Sequence, residues 1–197
     1  MKRAVFLDRD GTIVEETGYL ERLERLRFFP FATDAIRLLN QAGFAVVVVT
    51  NQAGIARGIV KASFIPEVSR VIAERVARGG GRIDGFYHCP HHPDGIVEGL
   101  RIRCECRKPA PGLLKQAAAD LGLDMGRSFV VGDRWHDLQA GAAVGARGIL
   151  VRTGYGASVE QAPPAGLAGY GVADNLAGAV AWILGQADGE TTNDGRS

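Results

Sequence analysis

The sequence predicts an α/β fold, a parallel sheet with helices on both faces. Apolar runs of strand length alternate with helix-length amphipathic segments. The runs Ala4-Val5-Phe6-Leu7 and Ala45-Val46-Val47-Val48-Val49 are continuous rather than alternating, as in strands covered on both faces. Each of these runs ends in a polar or acidic residue, which fits a sheet whose carboxyl edge carries a ligand.

Strands are expected at 4–8, 45–50, 129–133 and 148–152, with a weaker candidate at 83–88. Helices are expected at 32–42, 63–78, 112–121, 135–144 and 175–184. Gly43 and Gly122 stand where helices need a left-handed residue to stop. Residues 15–31 are charged and irregular and are expected to form a loop near the site. Residues 89–111 hold all three cysteines and read as a structured insertion rather than a cap. A single domain is expected over 1–186, with no large cap domain, followed by a polar tail at 187–197 expected to be disordered. Gly79-Gly80-Gly81 reads only as a flexible helix exit.

Composition removes several function classes. The formal net charge of +1 gives no field for nucleic acid or an anionic membrane surface. No apolar run approaches bilayer length. Only four apolar residues separate Met1-Lys2-Arg3 from Asp8, too few for a secretory signal, so a cytoplasmic protein is expected. A monomer is expected, because no coiled-coil pattern is present. The three cysteines do not form a disulfide framework.

The chemistry gathers at strand ends. Asp8 and Asp10 are two residues apart and leave an extended strand on the same side. Paired carboxylates are costly there unless a cation neutralises them, which suggests a hard metal ion. Thr50-Asn51-Gln52 ends the second run, Arg107-Lys108-Pro109 supplies fixed cations before a helix, and Gly132-Asp133 ends another run with Asp137 four residues on. Singly each is bland: Asp133 would serve as a helix N-cap and Lys108 as a surface cation. Jointly they hold a phosphoryl group, neutralise it and attack it.

In this order, Asp8-x-Asp10-Gly11-Thr12, Thr50, Lys108 and Gly132-Asp133-xxx-Asp137 resemble the four motifs of the haloacid dehalogenase-like phosphohydrolases, whose core is a Rossmann-like sheet. The resemblance implies that Asp8 is the nucleophile and forms an aspartyl-phosphate. It makes Asp10 the general acid and then the base. It places Mg²⁺ on the Asp8 carboxylate, the Asp10 carbonyl and Asp133. Thr50 and Lys108 would steady the transferring phosphoryl oxygens, and Asp137 would orient neighbouring groups.

Cys89-Pro90-His91-His92 and Cys104-Glu105-Cys106 offer a tetrahedral Zn²⁺ site with either histidine as fourth ligand. Such a site would be structural and would order the segment carrying Arg107 and Lys108. His88 and His136 read as surface or packing residues. The same string, with Thr50-Asn51-Gln52, Gly54-Ile55-Ala56-Arg57-Gly58 and Leu150-Val151-Arg152-Thr153-Gly154, resembles the D-glycero-D-manno-heptose-1,7-bisphosphate 7-phosphatase branch. That likeness implies His91 as the zinc ligand and a small sugar phosphate as substrate, in nucleotide-heptose and lipopolysaccharide biosynthesis. It implies Gly18 and Tyr19 in a lid-like loop, Asn51, Gln52 and Ala53 in a substrate loop, and Arg107 in substrate recognition. Arg107 and Arg134 are in addition expected to bind the distal phosphate of a bisphosphorylated sugar. Ala53 and Arg134 depart from the serine and lysine that occur in that branch. Histidinol-phosphate phosphatases share the motifs and are the alternative. A polynucleotide-end phosphatase is a further one that the near-neutral charge disfavours.

Overall fold

The computed structural model describes residues 1–191. The chain runs β1 (Ala4–Leu7), α1 (Ala32–Gln41), β2 (Ala45–Asn51), a short α2 (Ala53–Ala56), α3 (Phe64–Arg78) and β3 (Gly85–Cys89). It continues with α4 (Gly112–Leu121), β4 (Phe129–Gly132), α5 (Trp135–Ala142), β5 (Arg147–Val151), a short α6 (Gly156–Val159), β6 (Gly171–Ala173) and α7 (Leu176–Thr191). All six strands are parallel, in the order β3-β2-β1-β4-β5-β6. The chain builds outward from β1 to β3, then crosses back to lay β4 on the other side of β1. The crevice between β1 and β4 is therefore the switch point, where open α/β sheets bind ligands.

Strand alternation divides the core. Val5, Leu7, Val46, Val48, Val131 and Ile149 face a layer built from α1, α3 and α7, including Ile36, Leu39, Val68, Ile72 and Leu176. Ala4, Phe6, Val47, Val49 and Val130 face the opposite way, toward Leu113, Leu114 and Ala117 of α4 and Ala140 of α5. β1, β2 and β4 are thus apolar on both faces, which explains their uninterrupted runs.

Four expectations change. β6 was not anticipated, because three residues at a sheet edge carry almost no periodic signal. α2 and α6 are single turns of the same kind. β3 lies two residues later than its predicted start and ends on Cys89, whose register partner is Asn51. α7 continues to Thr191, into the segment expected to be disordered, because a nucleated helix gains one hydrogen bond for each added residue. The rest of that tail, 192–197, lies outside the described residues. The glycine triplet also gains a reason: a Cβ on Gly79 would collide with Thr33, and one on Gly81 would press on Val76 and the Arg37 backbone, so the triplet lets α3 end against α1.

Ser128 ties the start of β1 to β4. Its hydroxyl accepts from the Ala4 N–H at 2.9 Å and donates to the Asp124 carbonyl at 2.5 Å, while the residue is 1% exposed. Ser128→Ala orphans a buried backbone donor. It is expected to cost about 1–3 kcal/mol in urea unfolding with an unchanged m-value.

Candidate active site and metal clusters

The carboxyl ends of β1, β2 and β4 converge on one acidic centre. The Asp8 N–H donates to the Val131 carbonyl at 2.9 Å, so the β1–β4 ladder itself aims the side chain at the crevice. Asp133 follows β4 directly, and Asp137 lies in the first turn of α5. The carboxylate oxygens of Asp8, Asp133 and Asp137 lie within 4.8 Å of one another. Glycine makes that approach feasible: a Cβ on Gly11 (φ 82°) or Gly154 (φ 57°) would run into the Asp133 carboxylate.

Lys108 enters this centre from the loop between β3 and α4, although only 4% of it is exposed. Its Nζ donates to Asp8 Oδ1 at 2.7 Å and to the Val49 carbonyl at 2.6 Å, and it pairs with Asp137 Oδ1 at 2.6 Å. Asn51 holds the backbone behind it. The Asn51 carboxamide donates to the Lys108 carbonyl at 3.0 Å and accepts from the Lys108 N–H at 3.1 Å. Burial opposes the lysine's charge, but Asp137 and Asp8 more than offset it and raise its pKa.

One ammonium does not balance three buried carboxylates. Burial pushes Asp8 well above the usual carboxylate range, with Lys108 pulling it back. Burial likewise pushes Asp133 up to about 7, against the hydrogen bond it receives from the Tyr155 N–H at 2.8 Å. A centre of this sign, lined by oxygen donors and closed to side chains by Gly11 and Gly154, fits a hard divalent cation.

Asp10 stands apart from that trio. Arg9 Nη2 donates to its Oδ2 at 2.7 Å, Arg9 Nε reaches Oδ1 at 3.0 Å, and Gln52 Nε2 reaches Oδ2 at 3.1 Å. Gln52 Nε2 also donates to Thr50 Oγ1 at 2.8 Å, which links β2 to the β1 loop. Arg9, 4% exposed, was passed over in the sequence as the spacer between two aspartates.

A pocket of about 380 Å³ opens over this centre. Asp8, Asp10, Thr50 and Asp133 form its floor, and Gly18, Tyr19, Asn51, Gln52, Ala53, Arg107 and Arg134 all border it. Lys108 lies beneath the floor. The lining also includes Arg9, Glu16, His92, His136 and Tyr155, which sequence reasoning did not assign to the site. His136, expected as a surface or packing residue, packs in the wall of this pocket. It is half-buried beside Asp137 at 3.4 Å, and burial lowers its pKa to about 4, so it is a neutral group in the wall. Its signal was available, since it lies between Asp133 and Asp137 in the first turn of a helix that starts at the site.

The second cluster lies at the end of β3. Cys89, His91, Cys104 and Cys106 form a group able to hold a metal ion. Cys106 Sγ is 3.2 Å from the sulfurs of both Cys89 and Cys104, and His91 Nδ1 is 3.2 Å from Cys106 Sγ and 3.7 Å from Cys89 Sγ. Ligands about 2.3 Å from a tetrahedral ion stand about 3.8 Å from one another, so modest spreading seats one. His92 points elsewhere. Its Nδ1 accepts from the Asp94 N–H at 3.1 Å, and its Nε2 is 3.5 Å from Arg57.

Comparison with known proteins agrees with this geometry. A family model described as HAD-hydrolase-like matches residues 105–179. D-glycero-beta-D-manno-heptose-1,7-bisphosphate 7-phosphatase of Yersinia pestis is 44% identical over 159 residues, covering 80% of this chain and 84% of that one. The enzyme of the same name from Escherichia coli strain K12 is 46% identical over 153 residues, covering 77% and 80%. The crystal structure of D,D-heptose 1,7-bisphosphate phosphatase from B. bronchiseptica, complexed with magnesium and phosphate, superposes with a TM-score of 0.81 at 32% identity, covering 93% of this chain and 99% of that one. A six-stranded parallel sheet, an acidic centre at its switch point and relatives at this level of identity lead to one conclusion: the chain belongs to the D-glycero-beta-D-manno-heptose-1,7-bisphosphate 7-phosphatase family of HAD-like hydrolases.

Proposed function

We propose that the chain removes the 7-phosphate of D-glycero-β-D-manno-heptose 1,7-bisphosphate through an aspartyl-phosphate on Asp8. The observation that carries this reading is the buried centre of Asp8, Lys108, Asp133 and Asp137 beneath a pocket bordered by Arg107 and Arg134. The names of the curated relatives support the sugar and its β anomer. The role fits a monomeric cytoplasmic enzyme of nucleotide-heptose and lipopolysaccharide biosynthesis.

Asp8 attacks phosphorus with one carboxylate oxygen, and the bond from phosphorus to the sugar oxygen breaks. Asp10 gives its proton to that oxygen as it leaves. Arg9 and Gln52 hold the Asp10 side chain in place for the transfer. Asp10 then takes a proton from water, whose oxygen attacks phosphorus and frees Asp8 and inorganic phosphate. Lys108, its three donors committed to Asp8, Asp137 and the Val49 carbonyl, sits against Asp8 and offsets charge there, and the Thr50 hydroxyl is the donor offered to the equatorial oxygens. The Asp8 carboxylate, the Asp10 carbonyl and Asp133 would hold Mg²⁺, which neutralises phosphoryl charge when bound. Asp137 orients Lys108 rather than taking part in the displacement.

Zn²⁺ is the ion we assign to Cys89, His91, Cys104 and Cys106, since thiolate and imidazole donors suit it. Four protein ligands leave no position for substrate, so its role is to fix the loop that delivers Arg107 and Lys108.

Three outcomes test the reading. With Mg²⁺, phosphate release from the β-heptose 1,7-bisphosphate is expected to exceed that from the α anomer and from histidinol phosphate by roughly 100-fold in kcat/KM; preference for histidinol phosphate would overturn the substrate. Asp8→Asn is expected to lose on the order of 10⁴-fold in kcat with an unchanged circular dichroism spectrum. Elemental analysis is expected to find stoichiometric zinc that Cys106→Ala loses, with a Tm lower by roughly 5 °C or more.

A further inference from the structure

The Arg134 guanidinium lies over the Tyr155 ring, 3.6 Å from its centroid. Arg134 forms no ion pair among the described residues, unlike Arg9, which is committed to Asp10 and Gln52. Tyr155 is 39% exposed, and both side chains border the pocket. Their backbones are tied to the acidic centre. The Tyr155 N–H donates to Asp133 Oδ2 at 2.8 Å, and the Arg134 N–H donates to Asp137 Oδ2 at 3.1 Å. The arginine's backbone is therefore held by one carboxylate, and its tip meets the ring of a residue whose backbone another carboxylate holds.

We propose that Tyr155 is a positioning residue for substrate selection: its ring presents Arg134 to the phosphate distal to the scissile one. This rests on the sugar-bisphosphate reading above. An arginine side chain has many rotamers, and ordering it before the anion arrives removes that cost from binding. The planar ring stacks the guanidinium while leaving its edge donors open to phosphate. Glu16 borders the same pocket; burial raises its pKa, with the Gly18 N–H and, more weakly, Arg134 pulling it back. It is the competing partner that a released Arg134 would meet.

The experiment compares Tyr155→Leu, Tyr155→Phe and Arg134→Ala in the full chain; every variant at 155 keeps the N–H that holds Asp133. In substrate-free protein, the ¹⁵N order parameter of Arg134 Nε is expected to fall in Tyr155→Leu and to be retained in Tyr155→Phe. With Mg²⁺, Tyr155→Leu is expected to raise KM for the heptose 1,7-bisphosphate roughly fivefold to tenfold, with kcat and the KM for heptose 7-phosphate little changed. Tyr155→Phe is expected to restore the bisphosphate KM. An unchanged order parameter in Tyr155→Leu, or equal KM changes for both substrates, would overturn the proposal. If Arg134→Ala raises the bisphosphate KM and Tyr155→Leu does not, the role of Tyr155 falls and the distal-phosphate reading stands. If Arg134→Ala leaves the ratio of the two KM values unchanged, the reading of Arg134 falls and the proposal falls with it.

Discussion

The rest of the site depends on one buried ammonium. Lys108 Nζ is shared by Asp8, Asp137 and the Val49 carbonyl, and without it three largely buried carboxylates would face one another unneutralised. A lysine reaching so far inward has to be held from behind. Asn51 does this through two hydrogen bonds to the Lys108 backbone. Cys106, two residues earlier, belongs to the cluster that ties the same loop to the end of β3. β2, β3, the cysteine loop and the acidic centre are thus mechanically one unit. Cys106 of one cluster lies two residues before Lys108, which binds Asp8 and Asp137 of the other, so what fixes the cysteine loop also sets the position of the lysine.

The fold was largely legible because strands covered on both faces leave unbroken apolar runs, and Asp8 was legible because it directly follows β1. The Asp10 carboxylate, expected beside it by strand alternation, turns instead to Arg9 and Gln52, because the strand has already ended at Leu7. Lys108 and Asp133 were legible because each follows or precedes a clear element boundary. What escaped depends on contacts between residues distant in sequence. Asn51 was expected only in the substrate loop; it borders the pocket, but its carboxamide also clasps a residue 57 positions away. Arg9 looked like a spacer because strand alternation turns it from Asp8, yet its long side chain curls back to Asp10 and Gln52. His91 and His92 are adjacent and point to different neighbours, which no spacing rule decides. β6 is three residues long, too short for any period to register.

The order of the strands also governs how the centre comes into being. Asp8 directly follows the first strand, Lys108 is 100 residues further on, and Asp133 and Asp137 come only with β4 and α5. Asp8 and Lys108 by themselves make an electrically balanced pair. The surplus negative charge is complete only where β4 lies beside β1. Packing of Val130 and Val131 against the central strand has to carry that repulsion. A divalent cation bound at this centre would offset that repulsion, so its binding energy would count toward the stability of the folded chain as well as toward charge on a bound phosphate.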